Sequence, residues 1–399
     1  MLAKPKKIQH VYLDHAAATP TAPAVLSAML PYFTEQFGNP SAIYKHAQAA
    51  RQAVESSRQT IARILRANSE NIIFTSGGTE ANNLAIFGVA KASAKKGQHI
   101  ISLAIEHESV LESLEALKQW GYEITYIPVD KSGLVDPAAV LKAIRSDTVL
   151  MSVMYANNEI GTIEPIAEIG RALLQYRAKN KTAWPYFHTD ACQAAGFLSL
   201  DVEKLHVDLL TLNAAKMYGP KGSGLLYVRR GVPLQPIMHG GGQERRLRAG
   251  TENVPGIVGL AKALEISERA KPTVSDDLRE LSHFFWTELS ANIPDAVLHG
   301  PAIGPDRLPN NLNISVPGLE SEMLLLYLDE FGISCSAGSA CTDKSLSSSH
   351  VLTAIGIPQK QARAAVRFSL GSGTRKQDIQ YTLEQLQRIV AHLQPNPAS

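Results

Sequence analysis

Short apolar runs alternate with longer amphipathic segments from about residue 50 to residue 230. The amphipathic segments carry apolar residues at helical spacing and cover 47–66, 108–120, 136–145 and 165–180. The apolar runs, which are predicted strands, cover 71–75, 99–105, 122–129, 148–156, 186–190, 208–213 and 224–228. Strands and helices that alternate in this order form βαβ units. The pattern therefore predicts an α/β fold with a mostly parallel sheet between helices.

The pattern changes near residue 260. A long helical run, over 257–271 and 276–291, is followed by the apolar stretches NNLNISVPG and LLLYLDEFGISCSAG, the run RFSLG and a terminal helix at 376–393. Strands grouped with helices in this way are typical of an α+β unit. We expect a large domain at 13–258. A smaller domain would comprise 1–12 and 259–399 and carry a mobile cysteine loop at about 334–350.

Composition and charge narrow the class of protein without indicating a function. Of the 399 residues, 45% are hydrophobic and 19% are charged, and 39 basic residues nearly balance 37 acidic ones. No block of lysine and arginine is large enough to predict direct nucleic-acid binding. No apolar run approaches the ~18 residues of a membrane span, and no apolar core of a secretory signal follows the basic N-terminal residues. Three cysteines favour a reducing compartment, so we expect a soluble cytoplasmic protein.

Polar residues that are able to do chemistry follow five of the predicted strands. Functional groups of parallel sheets collect at the carboxyl ends of the strands. The sequence therefore predicts one cleft that brings these residues together. They are Thr79 and Glu80, His107, Asn157 and Asn158, Asp190 and Gln193, and Lys216.

Three of these positions have both a functional and a structural interpretation. The Gly77–Gly78 turn before a helix offers backbone N–H groups to a phosphate, or is only a tight turn. Asp190 holds a protonated ring nitrogen of a pyridine-type cofactor, or caps the next helix. His107 stacks on a planar cofactor and passes protons, or bonds into the start of a helix. The residues alone leave these alternatives open.

A lysine follows the strand at 208–213. Lys216 stands among Ala, Met and Tyr in NAAKMYGPKGSG, where loss of water favours the neutral amine that Schiff-base chemistry requires. Lys221 in the same loop is a competing candidate. The loop lacks the Gly-Lys-Ser/Thr spacing of a nucleotide phosphate loop, so that kind of site is not predicted.

Two of the three cysteines lie in the stretch SCSAGSACTDKSLSSSH at 334–350. No metal site is predicted, because the spacing Cys335-x5-Cys341-x8-His350 matches no usual zinc pattern. A thiolate nucleophile must be exposed and able to move, which fits Cys341, but a surface cysteine without a catalytic role fits as well. Cys335 follows a predicted strand and Cys192 stands beside Asp190, and both are expected to be small packing residues.

Ten motifs along almost the whole chain resemble, in order, those of the cysteine desulfurases of the NifS/IscS type, in the class V aminotransferase family. The resemblance implies a fold type I enzyme that depends on pyridoxal 5′-phosphate, has a mostly parallel seven-stranded sheet in its large domain and acts as a homodimer. The motifs are YLDHAAATP (12–20), FGNPSA (37–42), FTSGGTEANNLAI (74–86), EHESVL (106–111), NNEIGT (157–162), HTDACQ (188–193), YGPKGSG (218–224), HGGGQERRLRAGTENV (239–254), SAGSACT (336–342) and VRFSLG (366–371).

The resemblance also implies a role for each residue at a matching position. Lys216 would hold the cofactor as a Schiff base and assist catalysis together with His107. Asn157 and Arg367 would hold the substrate carboxylate, since a guanidinium matches a carboxylate in a bidentate geometry. The other cofactor contacts would be Asp190 at the pyridine nitrogen, Gln193 at the phenolic oxygen, His107 stacked on the ring, Gly78, Thr79 and Asn213 at the phosphate, Asn157, and Thr251 of the partner subunit.

For Cys341 the resemblance implies the sulfur-accepting thiolate. L-cysteine would lose its sulfur to Cys341, giving L-alanine and an enzyme persulfide. The sulfur would pass to an acceptor such as an iron–sulfur scaffold, for iron–sulfur cluster or thio-cofactor and tRNA biosynthesis. Two alternatives stay open. One is a selenocysteine lyase or related fold type I lyase in which Cys341 is dispensable, and the other is a non-catalytic sulfur-trafficking scaffold.

One segment departs from the family pattern. The family usually has Ser-x-His-Lys before GPKG, whereas this chain has Asn213-Ala214-Ala215-Lys216. The usual serine and histidine help to bind the phosphate. Asn213 is able to replace the serine contact, but Ala215 has no group to replace the imidazole. We therefore expect weaker cofactor binding, or compensation by other donors.

Overall fold

The computed structural model describes residues 2, 4–5, 7–337 and 349–394. Its α-helices, α1 to α13, are Pro23–Met29, Pro31–Thr34, Lys45–Leu65, Gly78–Ser93, Glu108–Lys118, Pro137–Lys142, Ile166–Asn180, Val202–Leu205, Val254–Asn292, Ser321–Glu330, His350–Ala354, Gln359–Ala362 and Lys376–Leu393. Its strands, β1 to β12, are Val11–Tyr12, Ile72–Thr75, His99–Leu103, Glu123–Ile127, Thr148–Ser152, Tyr186–Asp190, Leu209–Asn213, Gly224–Val228, Val297–Leu298, Asn311–Ser315, Ile333–Ser334 and Ala365–Ser369. Three 3₁₀ turns cover Ser69–Asn71, Ala214–Lys216 and Gln243–Arg246.

The predicted mostly parallel sheet is confirmed. Seven strands lie in the order β2-β8-β7-β6-β5-β3-β4. The pairs β7–β6, β6–β5, β5–β3 and β3–β4 are parallel, and β8 is antiparallel to both of its neighbours. The strand residues of β2, β3, β5, β6 and β8 are buried throughout, as expected for a sheet covered by helices on both faces.

Two apolar clusters pack on the faces of this sheet. One contains β2, β3 and β5 side chains together with α3, α7 and the start of α9. The other contains α4 and α5 residues such as Leu84, Val89 and Leu114, packed on Ile100 and Leu150. These layers fix α4 and α5 against the sheet, and both helices begin at the carboxyl edge of the strands that precede them.

A second, smaller sheet has the order β12-β10-β9 and is antiparallel. A third apolar cluster lies against it, made by α10, α13 and the second half of α9. The N-terminal strand β1 pairs in parallel with β11, so the first residues of the chain lie beside the C-terminal part. None of the helices in the described ranges is long and apolar enough to cross a membrane.

The predicted long helical run over 257–271 and 276–291 is a single helix of 39 residues, α9, with Pro272 inside it. The terminal helix α13 has the predicted bounds, 376–393. Proline usually breaks a helix because it lacks an N–H group and its ring crowds the preceding turn. Here, buried residues on both sides of Pro272, among them Leu264 and Leu278, pack the helix into two different clusters.

Candidate active site

The carboxyl ends of β2, β3, β6 and β7 surround a cleft of about 330 Å³. This is the edge of the sheet at which sequence analysis placed the functional residues. Eight of the predicted site residues line the cleft together: Gly78, Thr79, His107, Asp190, Gln193, Asn213, Lys216 and Arg367.

Lys216 ends the 3₁₀ turn that follows β7. The side chain of Asn213 begins that turn by accepting a hydrogen bond from the N–H of Ala215, at 3.2 Å. The Lys216 Nζ donates to the carbonyl oxygens of Ala16 and Ala17, at 2.8 and 2.6 Å, and is half-buried. The competing Lys221 is exposed and does not line the cleft. Of the two lysines, Lys216 is the one whose amine the fold aims into the site.

Asp190 ends β6 and is 7% exposed. Its Oδ1 accepts from the N–H of Cys192 at 2.9 Å, and its Oδ2 accepts from Asn82 Nδ2 at 2.7 Å. One carboxylate oxygen thus makes a local turn contact, but turns and not a helix follow Asp190, so it does not cap the next helix. The carboxylate also lines the cleft.

His107 makes the contact at the start of a helix that its structural interpretation predicts. It stands at the N-cap of α5, where its Nδ1 accepts from the backbone N–H of Ser109 at 3.1 Å. The Ser109 Oγ lies 2.8 Å from the same nitrogen. The ring still lines the cleft, so the capping contact orients the imidazole within the site.

The N-terminus of α4 faces the cleft at Gly78 and Thr79. No side chain caps this helix end, which leaves backbone N–H groups available to an anion. A Cβ on Gly78 would stand 2.8 Å from Cys192 Sγ and 3.6 Å from Asn213 Nδ2. A side chain at this position would therefore crowd Cys192, and the amide of Asn213 lies at the same corner of the cleft.

Arg367 on β12 approaches the cleft from the smaller sheet and is 2% exposed. It donates to Asp14 Oδ1 at 2.8 Å and to the Asn158 carbonyl at 3.0 Å. Gln193 donates to the Ala16 carbonyl at 3.0 Å. These contacts hold Arg367 and Gln193 in place in the lining of the cleft.

One residue that was predicted for the cleft of this chain, Asn157, does not line it. The Asn157 amide donates to the Ile105 carbonyl at 3.0 Å and accepts from the N–H groups of Glu159 and Ile160, and its neighbour Asn158 lines the cleft instead. Thr251 is exposed and lies outside the lining of this chain. Cys341 lies outside the described residues.

Sequence reasoning missed Asn82 and Ser109, which also line the cleft. Asn82 stands four residues after Gly78 on α4, one helical turn on, so the same helix face presents both. Ser109 stands two residues after His107. The spacing of Asn82 from Gly78 and of Ser109 from His107 could have indicated that both residues line the cleft.

Two carboxyl groups are buried near this edge of the sheet. Burial raises the pKa of Glu106 well above its ordinary value, and its Oε1 accepts from the N–H of Met154 at 2.6 Å. Burial also raises the pKa of Glu164 to about 8. Glu164 is 1% exposed, and within the described part of the chain only its Oε2 is bonded, to the N–H of Val135 at 3.0 Å.

The raised pKa of Glu164 predicts that stability falls as the pH rises from about 5 to 8. Over this interval the unfolded chain, with an ordinary pKa of 4.5, has released the proton that the folded protein retains. Glu164→Gln should remove this loss, making the variant more stable than the parent at pH 8 by on the order of 2 to 4 kcal/mol, with little difference at pH 4.5. Urea unfolding of the parent and the variant at both pH values measures the difference in free energy of unfolding. Glu168→Gln, at an exposed position in α7, is the control, and an equal effect at both pH values would contradict the prediction.

The groups in the cleft fit pyridoxal 5′-phosphate. The uncapped N-terminus of α4 suits its phosphate, the Lys216 amine suits its aldehyde, and the Asp190 carboxylate suits its ring nitrogen. A Cβ at Gly78 would close the corner that the phosphate needs. The fold and this set of donors define a fold type I enzyme that depends on pyridoxal phosphate.

Comparison with known proteins narrows this class. The family model for aminotransferase class-V matches residues 11–382, and the chain belongs to this family, whose cofactor is pyridoxal phosphate. This chain is 48% identical to a cysteine desulfurase IscS of Dictyoglomus turgidum, over 96% of this chain and 95% of the relative. A solved structure described as a NifS-like protein matches with a TM-score of 0.88 and 35% identity, over 96% of this chain and 100% of the other. One described as SspA in complex with cysteine matches with a TM-score of 0.76 and 36% identity, over 90% and 98%.

Proposed function

We propose that this protein is a pyridoxal phosphate-dependent cysteine desulfurase, which converts L-cysteine to L-alanine and carries the sulfur as a persulfide on Cys341. The observation that carries the proposal is the meeting of Lys216, Asp190 and His107 in one cleft. The relatives named cysteine desulfurase IscS, which match at 42–48% identity over nearly the whole chain, support the same activity.

The cofactor, when bound, supplies an electron sink for the bonds around the α-carbon of the substrate. The chain's own residues bind and orient it. Lys216 would hold it covalently, Asp190 would pair with its ring nitrogen, and Gln193 would donate a hydrogen bond to its phenolic oxygen. The backbone of Gly78 and Thr79 at the N-terminus of α4 and the amide of Asn213 would hold its phosphate.

Arg367 is proposed to bind the carboxylate of L-cysteine. Its contacts with Asp14 and the Asn158 carbonyl hold the guanidinium at the wall of the cleft. Asn157 supports this wall through the turn that its amide braces. With its carboxylate bound at Arg367, the substrate would lie in the cleft that Lys216 also lines.

Cys341 is proposed to accept the sulfur. Its thiolate forms an S–S bond with the substrate Sγ, the Cβ–Sγ bond breaks, and its electrons stay on carbon, which is protonated to give alanine. Burial raises the pKa of both Cys192 and Cys335, which disfavours their thiolates. Cys335 packs against the apolar cluster of the smaller sheet, in agreement with a packing role.

The assembly and the sulfur acceptor belong to the same proposal. Several large apolar side chains are exposed between α1 and α3, including Phe33, Phe37 and Ile43, the last 93% exposed. An apolar surface of this kind supports a homodimer, in which Thr251 of the partner subunit would complete the phosphate site. We propose a cytoplasmic enzyme that passes sulfur to an acceptor protein such as an iron–sulfur scaffold.

We also propose the division into a large domain at 13–258 and a small domain formed by 1–12 and 259–399. The seven-stranded sheet lies within the first range and the three-stranded sheet within the second. Pairing of β1 with β11 supports the assignment of the first residues to the small domain. Helix α9 runs across the boundary, so the two domains share it.

Incubation of the purified protein with pyridoxal phosphate and L-cysteine tests the function. We expect alanine to form, and mass spectrometry of the peptide that contains Cys341 should show one added sulfur atom before reductant is supplied. Alanine formation without added sulfur on Cys341 would contradict the persulfide. Absence of alanine would contradict the function itself.

The NAAK segment gives a separate prediction about cofactor affinity. Asn213→Ala should weaken pyridoxal phosphate binding about tenfold, since it removes an amide from the phosphate corner next to Gly78. Ala215→His should tighten binding by restoring a donor at the position where the family usually has histidine. Titration of the cofactor-free protein, followed by absorbance, measures both. An Ala215→His affinity equal to that of the parent would show that other donors already compensate.

A further inference from the structure

A chain of hydrogen bonds connects Asp190 to His107 through two residues with no role in the proposed reaction so far. The Asn82 amide donates to Asp190 Oδ2 at 2.7 Å and to Ser109 Oγ at 2.8 Å. The Ser109 Oγ lies 2.8 Å from His107 Nδ1. Asn82 is 1% exposed and Ser109 is 8% exposed, so water competes little for these contacts.

The partners fix the direction of each hydrogen bond. An ionised carboxylate only accepts, so the Asn82 atom next to Asp190 is the amide nitrogen. The second N–H of that nitrogen donates to Ser109 Oγ, which leaves the serine hydroxyl hydrogen for His107. The Asn82 amide and the Ser109 hydroxyl therefore link the Asp190 carboxylate to the His107 imidazole.

The state of His107 follows from its contact with the backbone of Ser109. The Ser109 N–H lies 3.1 Å from Nδ1, and a backbone N–H is able only to donate. Nδ1 must therefore be unprotonated, and the neutral ring carries its proton on Nε2. A proton on Nδ1 would place N–H against N–H and also displace the Ser109 hydroxyl hydrogen.

We propose that Asn82 and Ser109 are positioning residues, which hold Asp190 and His107 as one unit and keep the imidazole proton on Nε2. The inference rests on the proposed function, because it makes His107 a proton donor to the cleft when substrate arrives. Asn82 fixes the orientation of the Asp190 carboxylate, which would meet the ring nitrogen of the cofactor. Through Ser109 it also fixes the orientation of the His107 imidazole, which would lie over the cofactor ring.

Long-range ¹H–¹⁵N NMR spectra of histidine-labelled protein test the proton position, with and without cofactor. The chain has 12 histidines, and the signals of His107 are those lost in His107→Gln. We expect an unprotonated Nδ1 and a protonated Nε2. Asn82→Ala should shift the Nδ1 signal although Asn82 does not contact the ring. A protonated Nδ1, or an Nδ1 signal unchanged by Asn82→Ala, would overturn the proposal.

A double-mutant cycle tests whether the two residues act together. Asn82→Ala and Ser109→Ala should each lower kcat/KM about tenfold at saturating cofactor, and the double variant should lose about the same factor, because all three break one chain. Ser109→Thr, which keeps the hydroxyl, should restore activity. A loss of kcat/KM of about a hundredfold in the double variant would show that the two residues act independently, and would overturn the proposal that they act as one unit.

Matched controls lie beside each position. Asn83 is half-buried and donates to the Thr79 carbonyl, and Ser113 donates to the Ser109 carbonyl within α5. Asn83→Ala and Ser113→Ala should keep the parental kcat/KM and the parental Nδ1 signal. The tests separate this inference from the proposed function. If the parent protein forms no alanine, the proposed function is wrong, whereas the NMR spectra of the cofactor-free protein still decide the proton position on His107.

Discussion

Replacing Lys216 by alanine is expected to lower alanine formation from L-cysteine by on the order of 10⁴-fold or more, the scale of loss when a catalytic group is removed. Lys216 places its amine in the cleft, where the carbonyls of Ala16 and Ala17 hold it. Without this amine, the cofactor would lose its proposed covalent attachment and the α-carbon its proposed proton carrier. The rate of alanine formation at saturating cofactor measures the loss.

Covalent attachment gives an independent measurement of the same change. After borohydride reduction, the parent protein should carry the mass of the cofactor on the peptide that contains Lys216, and Lys216→Ala should carry none. Lys221→Ala is the matched control, because Lys221 is an exposed lysine five residues further on in the same loop. Cofactor attached to Lys221 in the parent protein would contradict the assignment.

The location of the cleft was predictable from the alternation of strands and helices. Parallel strands end at one edge of a sheet, so His107, Asp190 and Lys216 meet there although long segments of chain separate them. Which local contacts Asp190 and His107 make was not predictable from the sequence. Whether Asp190 caps a turn or faces a ligand depends on both of its oxygens, and the contact of Oδ2 with Asn82 spans 108 positions in sequence.

The two neighbouring asparagines show what the motif leaves undecided. NNEIGT gives no local reason to assign the cleft to Asn158 and the turn to Asn157. The choice follows from the backbone, in which the N–H of Asn157 donates to the Thr162 carbonyl and the N–H of Gly161 donates to the Asn157 carbonyl. These bonds turn the Asn157 side chain onto the turn itself. The burial of Glu164 is likewise a tertiary effect, since acidic residues are exposed in most proteins.

Replacing Cys341 by serine is expected to reduce alanine formation at least about a hundredfold while cofactor binding stays intact. A serine hydroxyl is not ionised near neutral pH and is a poor nucleophile toward sulfur, so the substrate Sγ has no acceptor. The cofactor site lies in residues that this change does not touch, namely Lys216, Asp190 and the N-terminus of α4. Absorbance of the bound cofactor and the rate of alanine formation, measured on the same sample, separate binding from turnover.

Cys335→Ser is the matched control, because Cys335 packs against the apolar cluster of the smaller sheet and burial disfavours its thiolate. A buried hydroxyl without a partner lowers stability by about 1 to 3 kcal/mol, so this variant should lose stability and keep its rate of alanine formation.

The comparison of Cys341→Ser with the parent protein also decides between the activities that the sequence left open. If Cys341→Ser still releases alanine together with sulfide or selenide at the parental rate, the enzyme is a lyase that needs no sulfur-accepting cysteine. If the parent protein neither binds the cofactor nor turns over cysteine, the sulfur-trafficking scaffold is favoured, because a cleft that aligns Lys216 with Asp190 would then have lost its chemistry.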